Sequence, residues 1–237
     1  MVSRAEVEEF INSIKEPEVL LRYCRKYHEQ EPRDIAYVIS RYIVIKGKST
    51  PVFTLAGCKL IVITWNAARY QRLGKEVKRR LYNDLARAYE EVKDLLSFFD
   101  GMRLENAEFD DELRNKVGLA FRAFSSKPSI GVTGASKLLH LLNPSFFMMW
   151  DSLIRQAYHK LHYMRHSTNT ETCYVDFLQD SQAILRALLS KVSEEELWER
   201  HMEFMDQEVI KAFSYRETIL KMLDEANYVR FTYKIKL

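Results

Sequence analysis

Apolar residues recur along most of the chain at intervals of three and four, the spacing that gathers them on one face of a helix. Val7, Phe10, Ile11 and Ile14 form the first such stripe, behind Ser3 and Glu6 at capping-box spacing, and Pro17 closes it. A second helix is predicted from Val19 to His28. A third opens at Pro32 and Asp34 and runs to about Ile45, with Ile35, Val38, Ile39 and Tyr42 as its stripe. Lys46 to Pro51 reads as a loop. The β-branched run Lys59 to Thr64 has strand character but no partner strand nearby, so a buried helix is expected over Phe53 to Trp65. One long helix follows from Glu76 to Phe99, stopped by Asp100-Gly101. The stripe Leu113, Val117, Ala120, Phe121 and Phe124 predicts a helix from Asp110 to Ser125. Further helices are expected over Ser152 to about Tyr163, Tyr174 to Lys191, Ser193 to about Phe204, and Ser214 to Ala226, with a polar loop at residues 166–172. Only the tail, Tyr228 to Leu237, alternates at period two. It is expected to be an extended arm or a lone strand.

Composition agrees with an all-α chain. The 237 residues are 47% hydrophobic and 29% charged, enough for a proper core, and seven Gly with five Pro are too few for a fold of many tight β turns. The net charge of +3 is mildly basic and by itself says little about a nucleic-acid partner. The basic residues cluster, however. Arg69, Arg72, Lys75, Lys78, Arg79 and Arg80 fit either a solvated helix face or a phosphate-contacting surface, with Trp65, Asn66 and Tyr70 beside them to stack on or bond a base. Cys24, Cys58 and Cys173 are widely spaced and make no metal or cluster motif, which fits a reducing compartment. His159, His162 and His166 have a ligand-like spacing, but no carboxylate or cysteine completes it, and they read as surface histidines. The start MVSRAEVEEF is not a signal peptide and no apolar run spans a bilayer. A cytoplasmic, nucleoid-associated monomer with no membrane contact is expected.

The chemistry concentrates in Ser129 to Arg155. Gly131 and Gly134 suggest a tight turn whose free backbone N–H groups suit a phosphate. A helix is expected to follow from Ala135 to Leu142, with Ser136 and Lys137 in its first turn. There the positive helix end lowers the lysine pKa, and a partly neutral amine is a nucleophile. Asn143-Pro144 turns the chain, and the residues from Ser145 onward, if extended, span up to roughly 23 Å. That reach returns Asp151 to Lys137. Asp151 also opens the next helix, whose N–H groups keep a carboxylate ionised.

The sequence GVTGASK, an apolar helix, then FFMMWD and an amphipathic helix resembles the core of the helix-hairpin-helix DNA glycosylase superfamily. Ile130, Gly131 and Val132 match the apolar-Gly-apolar hairpin, Asp151 the catalytic aspartate, and Lys137 the lysine of bifunctional members. The chain departs from the pattern at Thr133, which displaces the second glycine to Gly134, and in a shorter interval from lysine to aspartate. The resemblance implies one helical unit of two lobes over residues 1–237, with the hairpin and catalytic segment at about 110–163. It implies a base-excision repair enzyme acting on double-stranded DNA with a damaged base or abasic site. The nucleotide is flipped into a pocket, Lys137 attacks C1′, and β-elimination cuts the strand. Gly131, Val132, Thr133, Gly134 and Ser136 are then expected on the DNA backbone, with Arg155 and His159 assisting. Trp65, Asn66 and Trp150 are candidates for the base pocket, although Trp150 also fits the core with Phe146 to Met149. No iron–sulfur cluster or other cofactor is expected; a monovalent cation at the hairpin is compatible. The alternative is a non-catalytic helix-hairpin-helix DNA-binding or scaffold protein, with Asp151 a cap and Lys137 a phosphate contact.

Overall fold

Side-chain caps and burial decide where the helices begin. The computed structural model describes residues 2–31, 34–47, 50–161 and 170–237. Ser3 and Glu6 form the expected reciprocal cap (2.7 and 3.2 Å) on α1 (Arg4–Ser13). Proline stands in the first turn of α2 (Pro17–His28) and of α4 (Pro51–Trp65), where its missing N–H costs nothing. Between them lies α3 (Asp34–Lys46). The β-branched run is part of α4, as expected. That helix packs on α3, on α6 (Lys75–Phe98) and on α8 (Gly131–Leu142), which is why apolar residues surround it on all sides. The short α5 (Ala67–Arg72) joins α4 to α6. Asp110 caps α7 (Asp111–Ser125) through Leu113 N–H at 2.7 Å. Then come α9 (Ser152–His159), α10 (Thr170–Leu189), α11 (Glu194–Met202), α12 (Gln207–Phe213) and α13 (Ile219–Asn227). Among the described residues there is no strand, and no helix is long and apolar enough to cross a membrane.

The segment between α8 and α9 is the centre of the core. Phe146, Phe147, Met148, Met149 and Trp150 are all buried. The backbone of this segment is held at several points: Ser145 O accepts from Leu104 N–H (2.9 Å), Phe147 O contacts His140 Nδ1 (2.6 Å), and Met148 O accepts from Tyr174 hydroxyl (2.8 Å). A non-helical segment so deep needs those partners. It also fixes how far the chain travels before Asp151.

Three expectations are corrected. The tail is not an extended arm: α13 runs on into a π-helical turn, Tyr228–Thr232, and only residues 233–237 lie outside helix. Burial of Val229 and Phe231, the latter edge-on to Phe10 at 5.0 Å, overrides the local β preference. The helix expected from Ser214 starts later, and another helix precedes it. Asp206 caps the unexpected α12, Ser214 takes a left-handed conformation (φ 48°), and α13 starts at Ile219 behind a Thr218 cap. Finally, α8 begins at Gly131 and not at Ala135. His162 and His166 lie outside the described residues, as does most of the loop expected at 166–172.

Candidate functional site

Helices α7 and α8 pack against each other across a five-residue turn, 126–130. Ile130 and Gly131 N–H groups both donate to Lys127 O (3.0 and 2.9 Å). Ser129 hydroxyl donates to Asp84 (2.6 Å) and Lys127 pairs with Glu91 (2.7 Å), which anchors the turn on α6. Arg69 closes it from the other side, donating to Pro128 O at 2.7 Å and Ser129 O at 3.4 Å. Gly131 is required by its backbone: its φ is +67°, while the Arg69 guanidinium, 2.7 Å from where a Cβ would stand, is the movable end of a long side chain. No side chain caps the N-terminus of α8, which opens beside Val132 and Thr133.

Because α8 starts early, Gly134 and Ser136 fall inside it and not on a DNA face. A Cβ at Gly134 would meet Ile130 Cγ2 at 2.9 Å and Asn66 Nδ2 at 3.4 Å, so this glycine is a packing requirement. Ser136 is buried and its Oγ accepts from Trp150 N–H at 2.9 Å, which sets the register of the returning chain. Trp150 is likewise core and not pocket. It is 2% exposed and stacks on Phe177 at 5.8 Å.

Lys137 stands in the second turn of α8, beyond the reach of the argument from the helix end. Its side chain lies along the floor of a cleft, 7% exposed, with Nζ donating to the Trp65 carbonyl that ends α4 and 5.5 Å from the Trp65 ring centroid. Asp151 caps α9 as expected. Its Oδ1 accepts from Leu153 and Ile154 N–H (2.8 and 2.9 Å), and its Oδ2 accepts from Thr232 hydroxyl at 3.0 Å. Lys137 and Asp151 line one cleft of about 660 Å³ together with Trp65, Asn66, Gly131, Val132, Thr133 and Arg155. The sequence thus named eight of the eighteen lining residues; among those it did not place in the site are Arg69, Arg72, Tyr228 and Thr232. Arg69 and Arg72 carried a signal in the basic stretch. Thr232 carried none, since its placement depends on the helical end of the tail. His159, one turn beyond Arg155, is not part of the lining. Among the described residues, Arg69, Arg72, Lys137 and Arg155 face one lining carboxylate, Asp151, so the cleft favours an anionic occupant.

Behind this wall lies Asp224, on α13 and 3% exposed. Burial pushes its carboxyl up to about 7; Lys221 and Lys137 pull it down, and Asp151 and Glu225 push it up. Asp224 therefore feels both predicted site residues. A carboxyl raised on folding binds its proton more tightly in the native chain. Its stabilising contribution is complete near its ordinary value of 3.8 and is lost as pH rises through about 7. Asp224→Asn is expected to gain on the wild type as pH rises from about 5 to about 8, by about 3 °C or more in melting temperature. A gap that does not change with pH contradicts this.

No protein-family model, curated protein or solved structure matches the chain.

Proposed function

We propose that the cleft binds duplex DNA at a damaged base or abasic site and that Lys137 and Asp151 carry out glycosylase and abasic-site lyase chemistry there. The observation that carries the reading is the convergence of Lys137 and Asp151 on one cationic cleft, beside an uncapped helix N-terminus. In this reading the first N–H groups of α8, at Val132 and Thr133, take a backbone phosphate. Arg155 and Arg72 contact phosphates further along. Arg69 already donates to the hairpin carbonyls, so it supplies from within the chain the positive charge that a bound monovalent cation would otherwise bring. The two lobes are then the helices on either side of the cleft, with Trp65 and Asn66 nearest the flipped nucleotide.

The chemistry follows from the two side chains. Asp151 keeps one oxygen on backbone N–H groups and turns the other towards Thr232. A carboxylate so held stabilises positive charge developing on the sugar and takes the proton that Lys137 must lose. The lysine amine attacks C1′, the C1′–N bond breaks, and the base leaves with a proton. The C1′–O4′ bond then opens, with O4′ taking a proton, and the iminium so formed acidifies C2′; loss of that proton expels the 3′ phosphate. Water then hydrolyses the Schiff base and frees the lysine.

One observation favours the non-catalytic reading: the bond from Lys137 to the last carbonyl of α4 is also what a structural, helix-ending lysine makes. Strand scission separates the two. The enzyme cuts a duplex holding one abasic site on its 3′ side. A chain that retards the duplex on a gel yet never cuts it, and releases no damaged base, is a binding protein.

A further inference from the structure

Outside the cleft lining, four side chains from three helices converge. Cys24 and His28 stand one turn apart on α2, His201 lies on α11 and Glu225 on α13. Cys24, His201 and Glu225 each bring a ligand atom within 4.8 Å of the other two, and all three are buried. His28 Nε2 lies 3.3 Å from His201 Nε2 and 3.3 Å from Glu225 Oε1, while His201 Nε2 lies 2.8 Å from Glu225 Oε2. Both imidazoles thus aim the same nitrogen at one carboxylate. If each donates a proton to it, two N–H groups face each other, which is unfavourable in a buried place. A divalent cation replaces both protons and removes the conflict. The spacing suits it as well, since two nitrogens held at about 2.0–2.1 Å on a tetrahedral ion are about 3.3–3.4 Å apart.

We propose that Cys24, His28, His201 and Glu225 form a structural zinc site. One thiolate, two imidazoles and one carboxylate are the donor set of a closed tetrahedral zinc centre. The outer contacts fit. Lys221 Nζ donates to Glu225 Oε1 at 2.7 Å and orients the carboxylate. The site would staple α2 to α11 and α13, and α13 continues into the turn that brings Thr232 to Asp151. It is separate from the cleft and does not rest on the DNA reading. The cysteine spacing gave no sign of it, because only one cysteine takes part and its partners lie far along the chain.

The test uses the full chain, purified without chelator and analysed for metal by mass spectrometry, then stripped and titrated with Co²⁺. One equivalent of zinc is expected. The cobalt form should show the strong visible bands of a tetrahedral ion and a thiolate-to-cobalt charge-transfer band. Cys24→Ser should lose the charge-transfer band and bind Co²⁺ at least about tenfold more weakly. Should that variant fail to fold, Cys173→Ser, which must keep the band, and the wild-type spectrum decide. A stripped chain that takes up no Co²⁺ and melts at the same temperature with and without zinc overturns the proposal. So does a charge-transfer band that survives in Cys24→Ser.

Discussion

Replacing Asp151 with asparagine is expected to lower turnover on abasic-site DNA by about 100- to 10,000-fold and to leave the melting temperature nearly unchanged. The two effects separate because the proposed function gives Asp151 a second job beside its cap. As a cap it accepts from Leu153 and Ile154 N–H through Oδ1, and an asparagine oxygen does this about as well. The Thr232 hydroxyl on the other oxygen can rotate and accept from the new amide. What asparagine cannot supply is negative charge for the sugar and a base for the lysine proton. Asp151→Ala removes both jobs, and should also cost about 1 kcal/mol of stability, or about 3 °C. If Asp151→Asn keeps full activity, the aspartate is a cap and nothing more.

The second large effect is one of stability. Lys221→Met is expected to destabilise the chain by about 3–5 kcal/mol, which would lower the melting temperature by about 10 °C or more. The Lys221 ammonium is fully buried, 2.7 Å from Glu225, 3.2 Å from Asp34 and within 5.3 Å of the Tyr27, Tyr37 and Trp65 ring centroids. Methionine fills much the same volume, so lost packing adds little. The cost comes from Asp34, which loses this buried ammonium, and from Glu225, which is left with its two histidines, in a region already crowded with carboxyls. Burial pushes the Glu217 carboxyl there up to about 8, against the pull of Lys221. Thermal melts of the two proteins at neutral pH check this. A drop of less than about 3 °C would mean that the ammonium is not what holds these carboxylates in place.

How much of this was legible depends on how local the cause is. The caps at Ser3, Asp110 and Asp151 each act within one helical turn, and each was visible as a residue type before an apolar stripe. The helical state of α4 was readable because its neighbours left no place for a strand. The start of α8 was not. Two nearby glycines look like one turn, but only Gly131 turns the chain, at φ +67°, while Gly134 lies inside the helix and is glycine because Ile130 presses against it. That contact comes from one turn earlier, and nothing at position 134 announces it. Lys137 was consequently placed one turn too early. Trp150 could be pocket or core by its nature, and only the ring of Phe121, Tyr174 and Phe177 around it decides for core. The polar positions of α13 were hidden for a similar reason. Its apolar stripe marked one buried face, yet Lys221, Asp224, Glu225 and Asn227 are buried as well, because other parts of the chain cover that side and pair with it.

The central claim is that Lys137 is the nucleophile, and borohydride trapping tests it most directly. The wild-type chain is mixed with a duplex carrying a single abasic site, and borohydride reduces any Schiff base to a stable amine. A covalent protein–DNA band that disappears in Lys137→Ala, while that variant still binds the duplex, is the predicted result. A band that persists in Lys137→Ala, or no band from the wild type on a duplex it binds, would contradict it.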